Sequence, residues 1–379
     1  MTLGLSASLG VYGTGPLART VTDDLGREVE VREPPLRIVS LAPGATEMLF
    51  AAGAGGELIA TVEYSDEPLA ARRVPRIGDV VTVDMERLVA LGPDVVIAWP
   101  AGGNPAQRAR IGALHIPVYE QEVLRLADIP LSVRRLGMLA GTEPQACRAA
   151  HDIETRLAAL KATYAAAASG RPSVLLQVWN RPIYTVGGRH LMSDALEVCG
   201  ARNVFADLPE ASPVVDTEAV FTRNPDIILA AAPPGEGAAW LADWKRFPTL
   251  AAVRGGRLVA FEDQAFSRLG PSVIDATEAL CRTLARVRDG GVRRSDYRAA
   301  NPHDRAAFCR CPPAEGPVSS PPKSIEAMLD GRASRIARNP GEGCRPARAG
   351  ARHRAGDRDR DRGGEGHPCH QAGCPDPAA

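Results

Sequence analysis

Two stretches of this chain repeat one another. Asp84-Met-Glu86-Arg-Leu-Val-Ala-Leu-Gly92-Pro93-Asp94-Val-Val-Ile-Ala98 matches Asp216-Thr-Glu218-Ala-Val-Phe-Thr-Arg-Asn224-Pro225-Asp226-Ile-Ile-Leu-Ala230 position by position. Each copy reads as an Asp helix cap, a short helix, a Gly or Asn stop, a proline and a buried strand. A unit that recurs with its punctuation intact implies two lobes of one architecture.

The surrounding pattern agrees. The apolar runs RIVSLA, ELIATVEY and DVVIAW form a first series, and SVLLQVW, DIILAAA and RLVAFED a second, each run separated by helical periodicity. Short continuous apolar runs alternating with helices predict buried parallel strands. Val21 to Val31 reads as a small hairpin turning at Gly26. Between the two series, Cys147, Ala150, Ile153, Leu157, Leu160 and Tyr164 recur at three- and four-residue steps, with Thr142 placed to cap and Gly170 to close. Such a helix spans roughly 40 Å and acts as a stiff strut. The fold class expected is α/β, two Rossmann-like lobes with mostly parallel sheets bridged by one long α-helix. The divisions expected are a leader or degraded signal over 1–18, a first lobe over 19–141, the bridging helix over 142–170, a second lobe over 171–290, and a tail over 291–379.

Composition narrows the function. Lys+Arg and Asp+Glu both number 45, so charge gives no sign of a nucleic-acid partner. No stretch approaches 18 apolar residues, so no transmembrane helix is expected. The first 18 residues are uncharged and end in a small residue. They lack a basic start, and Gly13 and Gly15 interrupt the apolar run, so they resemble an export signal only in part. The tail is rich in Arg, Pro and Gly and reads as disordered. Its His367, Cys369, His370 and Cys374 lack paired metal-ligand spacing, so no metal is expected.

Ligands of open parallel sheets bind beyond the carboxyl ends of the strands. Aromatic residues make up only 4% of the chain, yet Trp99 and Trp179 each close an apolar run. Tyr64, Tyr184, Phe266 and Arg268 follow similar runs. Flat rings with one guanidinium suit a broad, partly apolar ligand; equally, each ring taken alone suits packing beneath a loop. Trp240 and Trp244 read as packing on a surface helix. Glu86 and Glu218 occupy matching positions in the two repeats. Acids in a first helical turn complement the helix dipole, and a pair of them, one per lobe, also suits docking onto a two-fold basic partner.

The stretches RIVSLAPGATEMLFAAG, YSDEP, DMERLVALGPDVVIAWPAGGN, TVGGRHLMSDALEVCGARNVF and SRLGPSVIDATEALC resemble the periplasmic cobalamin-binding proteins of ABC importers, in order and spacing, over about Leu36 to Asp289. The resemblance implies a periplasmic, monomeric binding protein without catalytic machinery. It would capture cobalamin or a related corrinoid between its lobes as transported ligand, with no cofactor, and deliver it to membrane permease subunits. It aligns Tyr64, Trp99, Tyr184 and Arg268 with ligand contacts, Glu86 and Glu218 with the acids that dock on the membrane subunits, and Cys199 with Cys281 as a disulfide. Val80 and Ser212 stand where a close family member has tryptophans, and Gln264 where it has an acid, with Asp263 adjacent.

Two rival readings stay open. A haem or iron-siderophore receptor of the same class fits the N-terminal hairpin and offers Tyr64 as an axial ligand. A nucleotide-binding enzyme fits the sheets. However, the chain has no phosphate-binding G-x-x-x-x-G-K-[ST] loop, the Gly53, Gly55, Gly56 cluster follows a helix, and His115, His151 and His190 show no triad spacing. His190, the one of the three near the expected cleft, reads as a loop histidine satisfied by backbone rather than as a base.

Overall fold

A computed structural model describes residues 18–35, 37–165 and 170–290. The expectations for the leader through residue 17 and for the tail from residue 291 lie outside the described residues. The chain opens on an antiparallel hairpin, β1 (Ala18–Thr22) and β2 (Glu28–Arg32), so the first strand begins inside the segment read as leader. Asp23 in its turn accepts bonds from the backbone nitrogens of Leu25 and Arg27.

The first lobe follows as β3 (Ile38–Ser40), α1 (Pro43–Ala52), β4 (Leu58–Ala60), α2 (Met85–Leu91), β5 (Val95–Ala98), α3 (Pro105–Ala113), β6 (Val118–Glu120) and α4 (Asp128–Ala140). Its four strands are all parallel, in the order β4-β3-β5-β6. Next comes α5 (Glu143–Leu160), extended by one wider π-helical turn over Lys161–Ala165.

The second lobe runs through β7 (Ser173–Gln177), β8 (Ile183–Tyr184), α6 (Leu191–Val198), β9 (Arg202–Asn203), β10 (Val214–Val215), α7 (Thr217–Arg223), β11 (Ile227–Ala231), α8 (Gly237–Ala242), α9 (Ala251–Arg254), β12 (Leu258–Phe261) and α10 (Val273–Arg288). Four strands form a second parallel sheet, β12-β11-β7-β9, and β8 pairs with β10 in a small antiparallel ladder. The sheets are separate, so the protein is a two-lobed α/β structure.

The repeat is structural. Asp84 caps α2 by accepting from the Arg87 nitrogen at 2.9 Å, and Asp216 caps α7 by accepting from the Ala219 nitrogen at 2.7 Å. Gly92 and Asn224 end these helices in the left-handed region, at φ 54° and 42°. Leu88 and Val220 anchor the buried faces of the two helices.

The bridging helix is continuous from Glu143 to Ala165. Regular α-helix stops at Leu160, and residues 166–169 lie outside the described part. The inward face is also shifted by one position at its start: Ala146, Ala150, Ile153, Leu157 and Leu160 are buried, while Cys147 is half-buried. Helix α5 packs on α4 and α1 of the first lobe and reaches α10 of the second, where Arg156 pairs with Asp275. Arg134 holds Glu154 bidentately at 2.6 and 2.8 Å across α4 and α5. One apolar core runs through both lobes beneath α1, α4, α5, α6 and α10; two smaller cores lie on the outer faces of the sheets. Trp240 and Trp244 pack into the outer core of the second lobe and are buried. The Trp244 indole donates to Gln177 at 2.8 Å. Among the described residues, no helix is long and apolar enough to cross a membrane.

Candidate ligand-binding cleft

A cleft of about 1400 Å³, counted out to its open mouth, lies between the lobes. Residues just past the carboxyl ends of strands wall it on both sides: Ala42, Trp99 and Gln121 from the first sheet, Val178, Ala232 and Asp263 from the second. This is where parallel sheets expose backbone ends and loops to a ligand. Helix α1 adds its first turn, Pro43 to Ala45.

Four of the six expected ligand residues meet here: Tyr64, Trp99, Phe266 and Arg268. Tyr64 holds a left-handed backbone at φ 64°, and Leu269 another at 56°; both line the cleft. Non-glycine residues in that region carry a backbone cost that the surroundings must hold in place. Beside Tyr64, a chain of buried hydroxyls supplies that restraint. Thr46 bonds Thr61 at 2.7 Å and Ser40 at 2.9 Å, and Thr61 donates to Ser65 at 2.9 Å. Trp99 is held by the glycines that follow it: a Cβ at Gly102 would sit 1.9 Å from the indole ring. The sequence WPAGGN therefore lets the chain fold back tightly against the ring. Phe266 is 1% exposed and stands edge-on to Phe261 at 5.2 Å, so it forms the floor of the cleft. Asp263 caps the short turn Gln264–Ser267 by accepting from the Ala265 nitrogen at 3.0 Å, which sets the loop carrying Arg268.

Trp179 and Tyr184 are not among the lining residues. Val178, the first residue past β7, faces the cleft as Trp99 does past β5. Side chains alternate along extended backbone, so Trp179 turns to the other side and packs edge-on to Trp240 at 6.0 Å. Tyr184 bridges Trp179 and pairs with Val214, and is half-buried against the core that contains Val186. Val80, Ser212 and Gln264, where bulkier or acidic groups stand in a close family member, do line the cleft.

Gln121 carried no sequence signal, because it follows β6, whose residues Val118-Tyr119-Glu120 are not an apolar run. His190 caps α6: its Nδ1 accepts from the Met192 nitrogen at 3.2 Å, so the backbone-satisfied reading holds, yet the ring also lines the cleft. Burial pushes this imidazole down to about 4, leaving it neutral near pH 7.

The charged groups on the walls are Asp66, Asp263 and Arg268. Asp66 is paired with Arg76 at 3.1 Å. Glu47, buried behind Arg268, accepts from Ser272 N and Ser272 Oγ at 3.0 Å each. Its carboxyl is raised chiefly by burial, against the lowering effects of Ser272 and Arg268. Gly44 touches the opposite lobe so closely that a Cβ there would lie 2.4 Å from the Arg268 carbonyl oxygen.

Away from the cleft, Glu86 and Glu218 are exposed in the first turns of α2 and α7. No ion pair from a described residue engages either one. Cys199, ending α6, is disulfide-bonded to Cys281 in α10, with Cα atoms 4.6 Å apart. Among the described residues, no group of three or more His, Cys, Asp or Glu side chains is placed to hold a metal.

Residues 38–265 match the model of the periplasmic binding protein family. The chain is 34% identical over 253 residues to the vitamin B12-binding protein of Vibrio cholerae serotype O1, covering 66% of this chain and 90% of that one. The crystal structure of the periplasmic vitamin B12-binding protein of Vibrio cholerae superposes with a TM-score of 0.61 at 31% identity, covering 67% of this chain and 98% of that one. A periplasmic heme-binding protein from Pseudomonas aeruginosa superposes with a TM-score of 0.56 at 25% identity, covering 66% and 92%.

Proposed function

Because this chain belongs to the periplasmic binding protein family, we propose that it captures cobalamin or a related corrinoid between its lobes and delivers it to the membrane subunits of an ABC importer. The observation that carries this reading is the cleft itself. Tyr64, Trp99 and Phe266 offer ring surface from both lobes, while the charged walls hold one guanidinium, Arg268, against the two carboxylates of Asp66 and Asp263. That balance suits a large ligand with an apolar plane and an uncharged, amide-bearing rim. It disfavours a polyanion, which would need several cations to offset its desolvation. A corrin with its amide side chains meets the first description; ferric siderophores with several anionic groups meet the second. The similarity to vitamin B12-binding proteins supports the same choice.

In this reading the protein works in the periplasm as a monomer and carries out no catalysis, and the corrinoid is cargo with no further cofactor. The ligand contacts are Tyr64, Trp99, Phe266 and Arg268. Glu86 and Glu218, one per lobe and free of ion pairs among the described residues, dock the loaded protein onto basic groups of the permease. The working divisions remain 19–141, 142–170 and 171–290.

A haem-binding reading has one observation in its favour, the Tyr64 phenol on the cleft wall, which could serve as an axial ligand. Titrating the purified protein with cyanocobalamin, hemin and ferric siderophores while following tryptophan fluorescence separates the readings. Saturable quenching by cyanocobalamin is expected. Saturation by hemin at micromolar levels, with no response to cyanocobalamin, would replace the corrinoid assignment.

A further inference from the structure

We propose that Gln121 of the first lobe and His190 of the second form a recognition pair, presenting N–H donors from opposite walls of the cleft to carbonyl oxygens of the bound molecule. The inference deepens the corrinoid reading and rests on it. Gln121 is 3% exposed and lines the cleft, yet its Nε2 has no hydrogen-bond partner among the described residues. Burying an amide donor without a partner costs about 1–3 kcal/mol. The Gln121 main chain is fixed, its nitrogen donating to the Ala98 carbonyl at 2.8 Å. Of the buried side-chain atoms that lack a partner among the described residues, on Glu57, Arg108, Gln121 and Arg257, Gln121 Nε2 is the one belonging to a cleft residue.

His190 supplies the facing donor. Its Nδ1 accepts the Met192 N–H, so the neutral ring carries its proton on Nε2. No described residue accepts that proton, and the ring lines the cleft. Because the imidazole is neutral near pH 7, it offers one N–H in a fixed tautomer and no positive charge. Two uncharged donors match amide carbonyls, which a corrin carries around its rim. Haem gathers its acceptors on two propionates at one edge, whereas a corrin spreads amide carbonyls around its rim. Donors on opposite walls therefore suit a ligand with acceptors on more than one edge.

The test uses the full chain, tryptophan quenching by cyanocobalamin, and thermal unfolding of the ligand-free protein. Gln121→Leu removes one donor and keeps the volume. His190→Asn keeps an oxygen able to cap α6 while withdrawing the donor from the cleft. Each variant is expected to bind about five- to tenfold more weakly, the worth of one hydrogen bond. His190→Asn should melt as the wild type does, and Gln121→Leu should melt as high or higher, since an unpaired donor has been removed. Wild-type affinity in both variants would overturn the pair, as would losses that track a falling melting temperature. Absence of cyanocobalamin binding by the wild-type protein would overturn the corrinoid reading first, and the pair with it.

Discussion

Glu47 and Ser272 join the two lobes at the back of the cleft. The carboxylate sits on α1 of the first lobe and accepts both the backbone N–H and the hydroxyl of Ser272, where α10 of the second lobe begins. One side chain thereby satisfies donors at a helix start that its own helix leaves unpaired.

Glu47→Ala leaves those donors without a partner in a half-buried position and is expected to lower unfolding stability by about 1 kcal/mol, measured by denaturant titration. The pH dependence follows from the raised carboxyl. A raised folded-state value means the native protein holds its proton to higher pH than the unfolded chain does. The stabilising contribution is then fully present below the unfolded value near 4.5 and is lost as pH rises through the folded value. Glu47→Gln cannot ionise, so its stability relative to wild type should improve as pH rises above the unfolded value near 4.5.

His190 has the opposite sign. Its value falls from 6.5 unfolded to about 4 folded, so the unfolded chain takes up the proton first. The contribution is intact above 6.5 and is lost as pH falls toward 4, a difference on the order of 3 kcal/mol. In His190→Asn, the fall in melting temperature between those two pH values should be shallower than in the wild type.

Removing both acids proposed to dock should separate ligand binding from membrane-subunit association. Glu86→Ala with Glu218→Ala is expected to leave cyanocobalamin affinity unchanged and to weaken association with the membrane subunits, measured by pull-down or surface binding. Each substitution also removes a favourable helix-dipole contact, worth about 0.3–1 kcal/mol. A matching loss of ligand affinity would assign the acids a structural role.

The Cys199–Cys281 bond closes a loop with a sequence separation of 82 residues and ties α6 to α10. Loop-closure entropy puts its stabilisation at about 4 kcal/mol. Cys199→Ser with Cys281→Ser should lower the denaturant midpoint accordingly. Alkylation followed by mass spectrometry should find both residues protected until reductant is added.

The parts of the fold written as long apolar runs were legible in the residues. The six runs became β3, β4, β5, β7, β11 and β12, because burial on both faces demands continuous apolar sequence. The short strands β6 and β9 were not legible, since Val118-Tyr119-Glu120 and Arg202-Asn203 are not written as continuous apolar runs. At the site, Trp99 could be placed because it immediately follows β5. Trp179 was misplaced because it lies one residue further past its strand, and one residue reverses the direction of a side chain. Gln121 lines the cleft with an amide nitrogen that meets no partner among the described residues, which spacing along a chain does not record. Likewise, Glu47 and Ser272 meet from opposite ends of the sequence, and nothing local to either announces the partner.

The close seating of Gly44 on the Arg268 and Leu269 backbone sets how near the two halves can come. Any larger residue at that position would act as a wedge there, so the absence of a single methyl group is what lets the loop after β12 close against the first turn of α1.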